Sequence, residues 1–271
     1  MAARTDEQRL PFDEHNRDSK TTILFIHGAF SDRHGWDEVV LSHLSDYHLL
    51  LPDLPAHGQA KHIQPYSKSL SATLLADLIR SHAHAGKAHI VGFSLGAYVA
   101  VELVSKYPDL IHDAFLSGFK IYPAGMLSSF IAPRMMWLDH SLASSIPKPL
   151  LRWLMDGTDT TTEDSAPITL AECRAITDTL TLVDSGGKWP DPWPARTLII
   201  SAGKSGLLPT ADHPQDAVKL RDIARKMNAE TIAYTHPEMR HPWDKQDPEL
   251  FGRTVRAWFE HQKIPEGFVE L

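Results

Sequence analysis

The chain has 271 residues, with 27 lysines and arginines against 34 aspartates and glutamates, so its formal net charge is -7, which speaks against a nucleic-acid partner. A single cysteine, Cys173, excludes a disulfide framework and any metal site built from several cysteines. No run of about 18 apolar residues is present and residues 1–20 are polar, so we expect a cytoplasmic protein without a membrane span.

Six short apolar runs, each followed by small or polar residues, predict the strands of a sheet. Runs of Val, Ile and Leu of this length are typical of strands that are buried on both faces of a parallel sheet. In chain order the predicted strands are Thr21–Ile26, His48–Leu51, Ala88–Val91, Ala114–Leu116, Arg196–Ser201 and Glu230–Tyr234.

Longer amphipathic segments lie between these runs and predict helices, because their apolar residues recur at helical spacing. The predicted helices are Leu70–His82, Leu95–Tyr107, Gln215–Met227 and Pro248–His261. Alternation of strands and helices predicts an α/β fold with a doubly wound, mostly parallel sheet. Ligands of such sheets bind beyond the carboxyl ends of the strands.

Residues 120–194 interrupt this alternation between the fourth and fifth predicted strands, over a length far beyond an ordinary connection. We therefore divide the chain into a polar N-terminal segment (1–20), a core (21–119 and 195–271) and a helical cap insertion (120–194). The insertion has a small core of its own, or it lines a pocket for an apolar ligand, and the two interpretations are compatible. Its large apolar residues include Met126, Phe130, Met135, Met136, Trp137, Leu150, Leu151, Trp153 and Met155.

The segment Gly92-Phe93-Ser94-Leu95-Gly96 has the pattern G-x-S-x-G. It directly follows a predicted strand and opens a predicted helix, which is the setting that a nucleophilic serine on a tight turn requires. The helix N-terminus adds a positive dipole where an oxyanion would form. We predict that Ser94 is a nucleophile.

A second turn, His27-Gly28-Ala29-Phe30, follows the first predicted strand. This position in the strand order allows the backbone N–H of Ala29 to face the serine, and the N–H of Leu95 follows the serine directly. We expect these two groups to form an oxyanion hole, in which each donor contributes roughly 3 kcal/mol to the transition state.

A serine hydroxyl needs a neighbouring base, and histidine titrates in the suitable range. We prefer His241, which lies between the last predicted strand and the last helix, over His236, which lies closer to that strand. The neighbouring His82, His84 and His89 lack a recognised metal-binding spacing, so we expect no metal ion.

With these motifs, residues 21–261 resemble the α/β-hydrolase fold superfamily, in particular its capped esterases and methylesterases. The resemblance also rests on Asp53-Leu54-Pro55-Ala56-His57-Gly58, a turn that is structural in that family, so His57 is taken as scaffold. It implies the order nucleophile, acid, histidine, which fits Ser94 and His241.

One departure concerns the acid, which the family carries in a pattern like G-x-x-D-x-x-x-P after the fifth strand predicted here. Counting back from Pro209, that position holds Ser205. Asp212 could substitute, although it also fits the N-cap of the helix near Pro214. Alternatively Asp244 or an acid of the insertion serves, or the site works as a serine–histidine dyad.

The sequence therefore predicts a serine hydrolase that cleaves an ester or thioester of a small, apolar substrate through an acyl-enzyme, without a cofactor or metal. Ser94 attacks, His241 transfers the proton, Asp212 is the candidate acid, and the amides of Ala29 and Leu95 bind the oxyanion. The altered acid position motivates an alternative, a lyase, cyclase or isomerase on the same fold. A third candidate is a non-catalytic ligand receptor.

Overall fold

A computed structural model describes residues 9–123, 125–143, 168–205 and 211–271, together with residues 150, 155 and 158. The described chain forms one eight-stranded sheet in the order β1-β3-β2-β4-β5-β6-β7-β8. The strands are β1 (Phe12–His15), β2 (Thr22–Ile26), β3 (His48–Pro52), β4 (Ala88–Phe93), β5 (Ile111–Ser117), β6 (Arg196–Ala202), β7 (Ile232–His236) and β8 (Val269–Glu270).

The six central strands, β2 to β7, run parallel and correspond to the six predicted runs. The predicted doubly wound, mostly parallel α/β sheet is therefore confirmed. The last predicted strand was placed too early, because the pairing with β6 extends to His236. His236 therefore lies within the strand and not beyond it.

Two short edge strands extend this parallel sheet, and both run antiparallel to their neighbours. β1 comes from the polar N-terminal segment and pairs with β3, and β8 pairs with β7 at the opposite edge. The sequence analysis did not predict either strand. Each exposes side chains to solvent and lacks the continuous apolar run of a central strand.

Helices cover both faces of the sheet. They are α1 (Glu38–Ser42), α2 (Lys68–His82), α3 (Leu95–Lys106), α4 (Met126–Ala143), α5 (Leu170–Leu180), α6 (Pro214–Ala224), α7 (Trp243–Gln246) and α8 (Pro248–Phe259). Side-chain N-caps explain where two of these helices begin. The side chain of Ser67 accepts a hydrogen bond from the N–H of Leu70 at the start of α2, and the side chain of Asp247 accepts one from the N–H of Leu250 at the start of α8.

The sheet separates two apolar cores, because alternate residues of each central strand point to opposite faces. In β2, Leu24 packs on the side of α2, α3 and α6, and Phe25 packs on the side of α1 and α8. Both residues are fully buried. The central strands are thus fixed from both sides, and their carboxyl ends form a rigid edge. No helix within the described ranges is both long and apolar enough to cross a membrane.

The segment between β5 and β6 contains α4 and α5, which pack on each other. In one contact between them, the Oγ1 of Thr177 donates to the Sδ of Met136 at 3.8 Å. A small apolar cluster, here called the α5 cluster, joins these helices to the core. Its buried members are Ala56, Tyr66, Leu95 and Ile176, and Ala29, Phe30, Met136, Ile168, Ala175 and Leu180 pack against it.

The large apolar residues of the insertion differ in burial. Met136 packs against the α5 cluster and Met155 is buried. Leu151, Trp153 and the side chain of Met126 lie outside the described residues. The other named side chains are exposed: Phe130, Met135, Trp137 and Leu150.

Candidate active site

Ser94 lies on the turn between β4 and α3, with a backbone φ of 53° and ψ of -120°. Such a conformation is uncommon for a residue with a side chain and turns the hydroxyl out of the strand direction. Gly92 permits the tight turn, because an added Cβ there would lie 2.7 Å from the carbonyl oxygen of Gly96. The Ser94 N–H donates to the carbonyl oxygen of Ser117 at 2.8 Å, which ties the turn to β5.

The imidazole of His241 lies between Ser94 and Asp212. Its Nε2 is 2.9 Å from the Oγ of Ser94, and its Nδ1 is 2.6 Å from the Oδ1 of Asp212. A carboxylate accepts only, so the proton of the ring lies on Nδ1 and Nε2 is free to accept the serine proton. The side chain of Asp212 is fully buried and that of His241 is 25% exposed, so this pair opens to solvent at the histidine alone.

Asp212 reaches His241 because the chain returns to the end of β6. The N–H of Asp212 donates to the carbonyl oxygen of Ala202 at 2.8 Å, and the N–H of Ala202 donates to the Oδ2 of Asp212 at 2.8 Å. The other carboxylate oxygen is thereby left to face His241. Asp212 is not the cap of α6, since His213 occupies that position and caps with no side-chain hydrogen bond.

Ser205, which occupies the position of the family's acid, is exposed. The other residues used in that count, Gly206, Leu207, Leu208 and Pro209, lie outside the described residues.

Neither competing side chain takes the place of His241 or Asp212 in this pair. The ring of His236 packs edge-on against Phe268 at 4.9 Å and accepts from the N–H of Glu238. Asp244 is buried, and burial raises the pKa of its carboxyl group to about 6, an effect that Lys245 and His241 partly offset. Since the Nδ1 of His241 is bonded to Asp212, the geometry favours Asp212 over Asp244 as its partner.

The turns that carry the two candidate oxyanion donors both lie beside Ser94. Leu95 begins α3, and Gly28, which precedes Ala29, lies against the serine: an added Cβ at Gly28 would be 3.2 Å from the Cβ of Ser94. Leu95 belongs to the α5 cluster, and Ala29 packs against that cluster.

Three supporting residues escaped the sequence analysis. Gly118 has a φ of 78°, and an added Cβ would lie 2.6 Å from the Cε1 of His241, so only glycine lets the ring approach. Ser117 accepts from the indole N–H of the buried Trp243 at 2.7 Å, which fixes the chain after His241. Only two sequence features pointed to these residues. They are the run Ser117-Gly118 at the end of a strand and the tryptophan two residues after the histidine.

His57 lies on the turn that the family uses as scaffold. It is buried, and its Nδ1–H donates to the carbonyl oxygen of Pro55 at 2.9 Å. Asp53, in the same turn, is fully buried and accepts from Arg33 and from the N–H of Gln59. The turn is thus held by polar contacts of its own. Within the described part of the chain, no three His, Cys, Asp or Glu side chains converge to hold a metal ion.

Comparisons with known proteins agree with this architecture. The profile of the Alpha/beta hydrolase family matches residues 23–259. An AB hydrolase superfamily protein of Gibberella zeae is 29% identical over 97% of this chain and 88% of its own. An esterase of Mycobacterium tuberculosis is 34% identical over 36% of this chain and 33% of its own.

Among solved structures, an esterase from Thermogutta terrifontis superposes with a TM-score of 0.69 at 18% identity, covering 93% of each chain. That identity is low, so this similarity concerns the fold alone. The match of the family profile covers most of the chain and includes most of β2, the serine turn and the histidine. The chain belongs to the alpha/beta hydrolase family.

Proposed function

We propose that the protein is a serine hydrolase that cleaves an ester or thioester of a small, apolar substrate. Membership of the alpha/beta hydrolase family and the esterases among its relatives support a hydrolase. The observation that carries the finer proposal is the continuous series of contacts from Ser94 through His241 to Asp212, at 2.9 and 2.6 Å.

In the first half-reaction, the Oγ of Ser94 attacks the carbonyl carbon and its proton passes to the Nε2 of His241. The oxyanion of the tetrahedral intermediate accepts from the N–H groups of Ala29 and Leu95. When the intermediate collapses, the bond to the alkoxide or thiolate breaks, and His241 returns the proton to that leaving group. Asp212 stabilises the imidazolium that forms between these two proton transfers.

In the second half-reaction, a water molecule attacks the acyl group on Ser94. His241 accepts a proton from the water, a second tetrahedral intermediate forms in the same oxyanion hole, and Ser94 leaves as the acid product is released. The oxygen of Ser94 recovers its proton from His241, so the enzyme returns to its starting state. No step requires a group beyond these residues and water.

The proposed preference for an apolar substrate rests on the surroundings of the serine turn. The α5 cluster brings Ile176 and Met136 of the inserted segment against Ala29 and Leu95, the two proposed oxyanion residues. We propose that α4 and α5 are part of a cap over the site. A small-molecule substrate and a cytoplasmic location belong to the same proposal.

The buried carboxylate beside His241 favours hydrolysis over the alternative of a lyase, cyclase or isomerase, because the alternative was motivated by Ser205 at the acid position. A triad supplies what acyl transfer to water requires, namely an oriented base and a stabilised imidazolium. A receptor without catalysis has no need of a serine in hydrogen-bond contact with such a base.

Labelling with a fluorescent fluorophosphonate tests the proposal. We expect Ser94 to be modified in the wild type and no label in Ser94→Ala, with Ser129→Ala, which removes another partly exposed serine, labelled like the wild type. Release of p-nitrophenol from p-nitrophenyl esters of increasing acyl length then separates hydrolysis from other chemistry. A folded wild type that takes no label and cleaves no ester would contradict the proposal.

A further inference from the structure

Lys120 is a nearly buried cation close to the proposed acid. It lies three residues after the end of β5 and is 8% exposed. Its Nζ donates to the carbonyl oxygen of Ala211 at 3.1 Å and lies 5.0 Å from the centre of the Tyr122 ring. A charged group loses its hydration when it is buried, so these contacts have to replace water.

We propose that Lys120 is a positioning residue that holds the peptide unit before Asp212 and thereby directs the Asp212 carboxylate toward His241. This inference rests on the proposed function, because it assigns Asp212 the role of the acid. It concerns the feature in which the chain departs from the family pattern, because Ser205 stands at the acid position of that pattern and Asp212 contacts His241.

The peptide unit between Ala211 and Asp212 is fixed at both ends. Its carbonyl oxygen accepts from the Nζ of Lys120 at 3.1 Å, and its N–H donates to the carbonyl oxygen of Ala202 at 2.8 Å. Because a peptide unit is planar, these two bonds together set the orientation of its plane. They therefore fix the Cα of Asp212, from which the carboxylate reaches the Nδ1 of His241.

The backbone of Lys120 is itself anchored to the helix that carries the nucleophile. The hydroxyl of Tyr98 donates to the carbonyl oxygen of Lys120 and accepts from its N–H. Tyr98 lies in α3, one helical turn after Ser94. The N–H of the next residue, Ile121, donates to the Oδ2 of Asp216 in the first turn of α6 at 2.8 Å.

These contacts form a closed circuit that runs from Ser94 through Tyr98, Lys120, the turn at Asp212 and His241 back to the serine. Lys120 contacts the backbone before Asp212, and His241 contacts the Asp212 carboxylate. A displacement of the acid by about 1 Å can cost on the order of 100-fold in rate. The circuit explains how Asp212, ten positions after Ala202 at the end of β6, is held in contact with the histidine.

The experiment compares Lys120→Met, which keeps the apolar stem but removes the ammonium, with Lys120→Arg, which keeps a donor. Lys219→Met is the matched control, since that exposed lysine also lies over an aromatic ring, Trp189, at 4.0 Å without contacting the acid turn. We expect Lys120→Met to lower kcat for a p-nitrophenyl ester about 10- to 100-fold with KM within about twofold. Lys120→Arg restores most of the rate, and the control keeps it.

Two further readouts distinguish positioning from a general structural role. In the Asp212→Asn background, Lys120→Met is expected to cause no further loss, because the residue acts through the acid. In proton NMR, the far-downfield resonance of the Nδ1 proton of His241, identified by its loss in Asp212→Asn, is expected to broaden or vanish in Lys120→Met. If Lys120→Met does not fold, Tyr98→Phe, which removes both bonds to the backbone of Lys120, replaces it.

The inference is overturned if the losses of Lys120→Met and Asp212→Asn multiply, if only KM changes, or if the NMR resonance of the folded variant matches that of the wild type. The NMR measurement does not depend on turnover. It therefore tests the position of the acid even if the wild type takes no fluorophosphonate and cleaves no ester, a result that would overturn the proposed function separately.

Discussion

Ser94 has an uncommon backbone conformation, and hydrogen bonds from neighbouring residues hold its turn in place. A residue with a side chain at a φ of 53° carries a cost on the order of 1–3 kcal/mol, which neighbouring contacts must offset. Here the N–H of Ser94 donates to Ser117, and Ser117 in turn accepts from the buried Trp243. The serine turn and the chain after the histidine are therefore fixed by the same residue of β5.

The buried carboxyl group of Asp244 predicts how the free energy of unfolding depends on pH. Burial raises its pKa to about 6, so between about pH 4 and 6 the folded state binds this proton more tightly than the unfolded chain. The folded state is consequently destabilised as the pH rises through 6, by about 3 kcal/mol once the carboxylate is ionised. Asp244→Asn removes this cost at neutral pH.

We therefore expect Asp244→Asn to raise the thermal midpoint relative to the wild type by on the order of 5 °C more at pH 7.5 than at pH 5. Differential scanning calorimetry at the two pH values measures this. Asp109→Asn, which changes an exposed carboxylate, serves as the control. An equal difference at both pH values would refute the assignment.

Among the secondary-structure elements, α5 connects the inserted segment to the core. The Nε2 of Gln64 donates to Glu172 in its first turn at 3.0 Å, and the N–H of Tyr122 donates to the carbonyl oxygen of Leu180 at its end at 3.1 Å. Between these points, Ile176 is 1% exposed and packs in the α5 cluster. The helix is thus attached at both ends and along its buried face.

Ile176→Ala is expected to lower the free energy of unfolding by about 2–4 kcal/mol, because it removes buried methyl groups and leaves a cavity beside Leu95. Val183→Ala, on the 42% exposed Val183 just after α5, should change it by less than about 0.5 kcal/mol. Urea unfolding followed by tryptophan fluorescence measures both. Equal losses in the two variants would mean that the cluster does not stabilise the fold.

The success of prediction also differs from element to element. The central strands could be predicted because burial on both faces requires continuous apolar runs, as in β2. β1 and β8 could not be predicted, because an edge strand is defined by its pairing with one neighbour. In β1, residues such as Asp13 and Glu14 are also polar. Asp212 was a candidate, but only its bonds to Ala202 distinguish it from an N-cap.

The same limit applies to the site. Ser94 and His241 lie next to recognisable strand ends, so their sequence context could predict that they meet. By contrast, Ser117 contacts Trp243 and Lys120 contacts Ala211 across more than 90 positions of the chain. Nothing in the local pattern around either residue indicates such a partner.

For the whole molecule, the many buried histidines predict sensitivity to acid. Burial lowers the pKa of His27 to about 3 and that of His89 to about 4, and it also lowers the pKa of His48, His57 and His236. The unfolded chain takes up protons near pH 6.5, whereas the folded state does not. The stability that these neutral histidines contribute is therefore complete above about pH 6.5, and it is lost as the pH falls toward their pKa values in the folded state.

At pH 5, His27 and His89 should together lower the free energy of unfolding by about 4 kcal/mol relative to pH 7.5, while protonation of Asp244 offsets part of this loss. Urea midpoints at both pH values check the prediction. The decrease should be larger in Asp244→Asn, where the offset is absent. A midpoint in that variant that is unchanged or higher at pH 5 would contradict it.

The central claim, that Asp212 orients His241 as the base of Ser94, is tested most directly by the rate of fluorophosphonate labelling. We predict that Asp212→Asn lowers the second-order rate constant by about 1,000-fold or more, as loss of a triad acid does, whereas Asp244→Asn stays within about threefold of the wild type. Labelling of folded Asp212→Asn at the wild-type rate, or a collapse of the rate in Asp244→Asn instead, would contradict the claim.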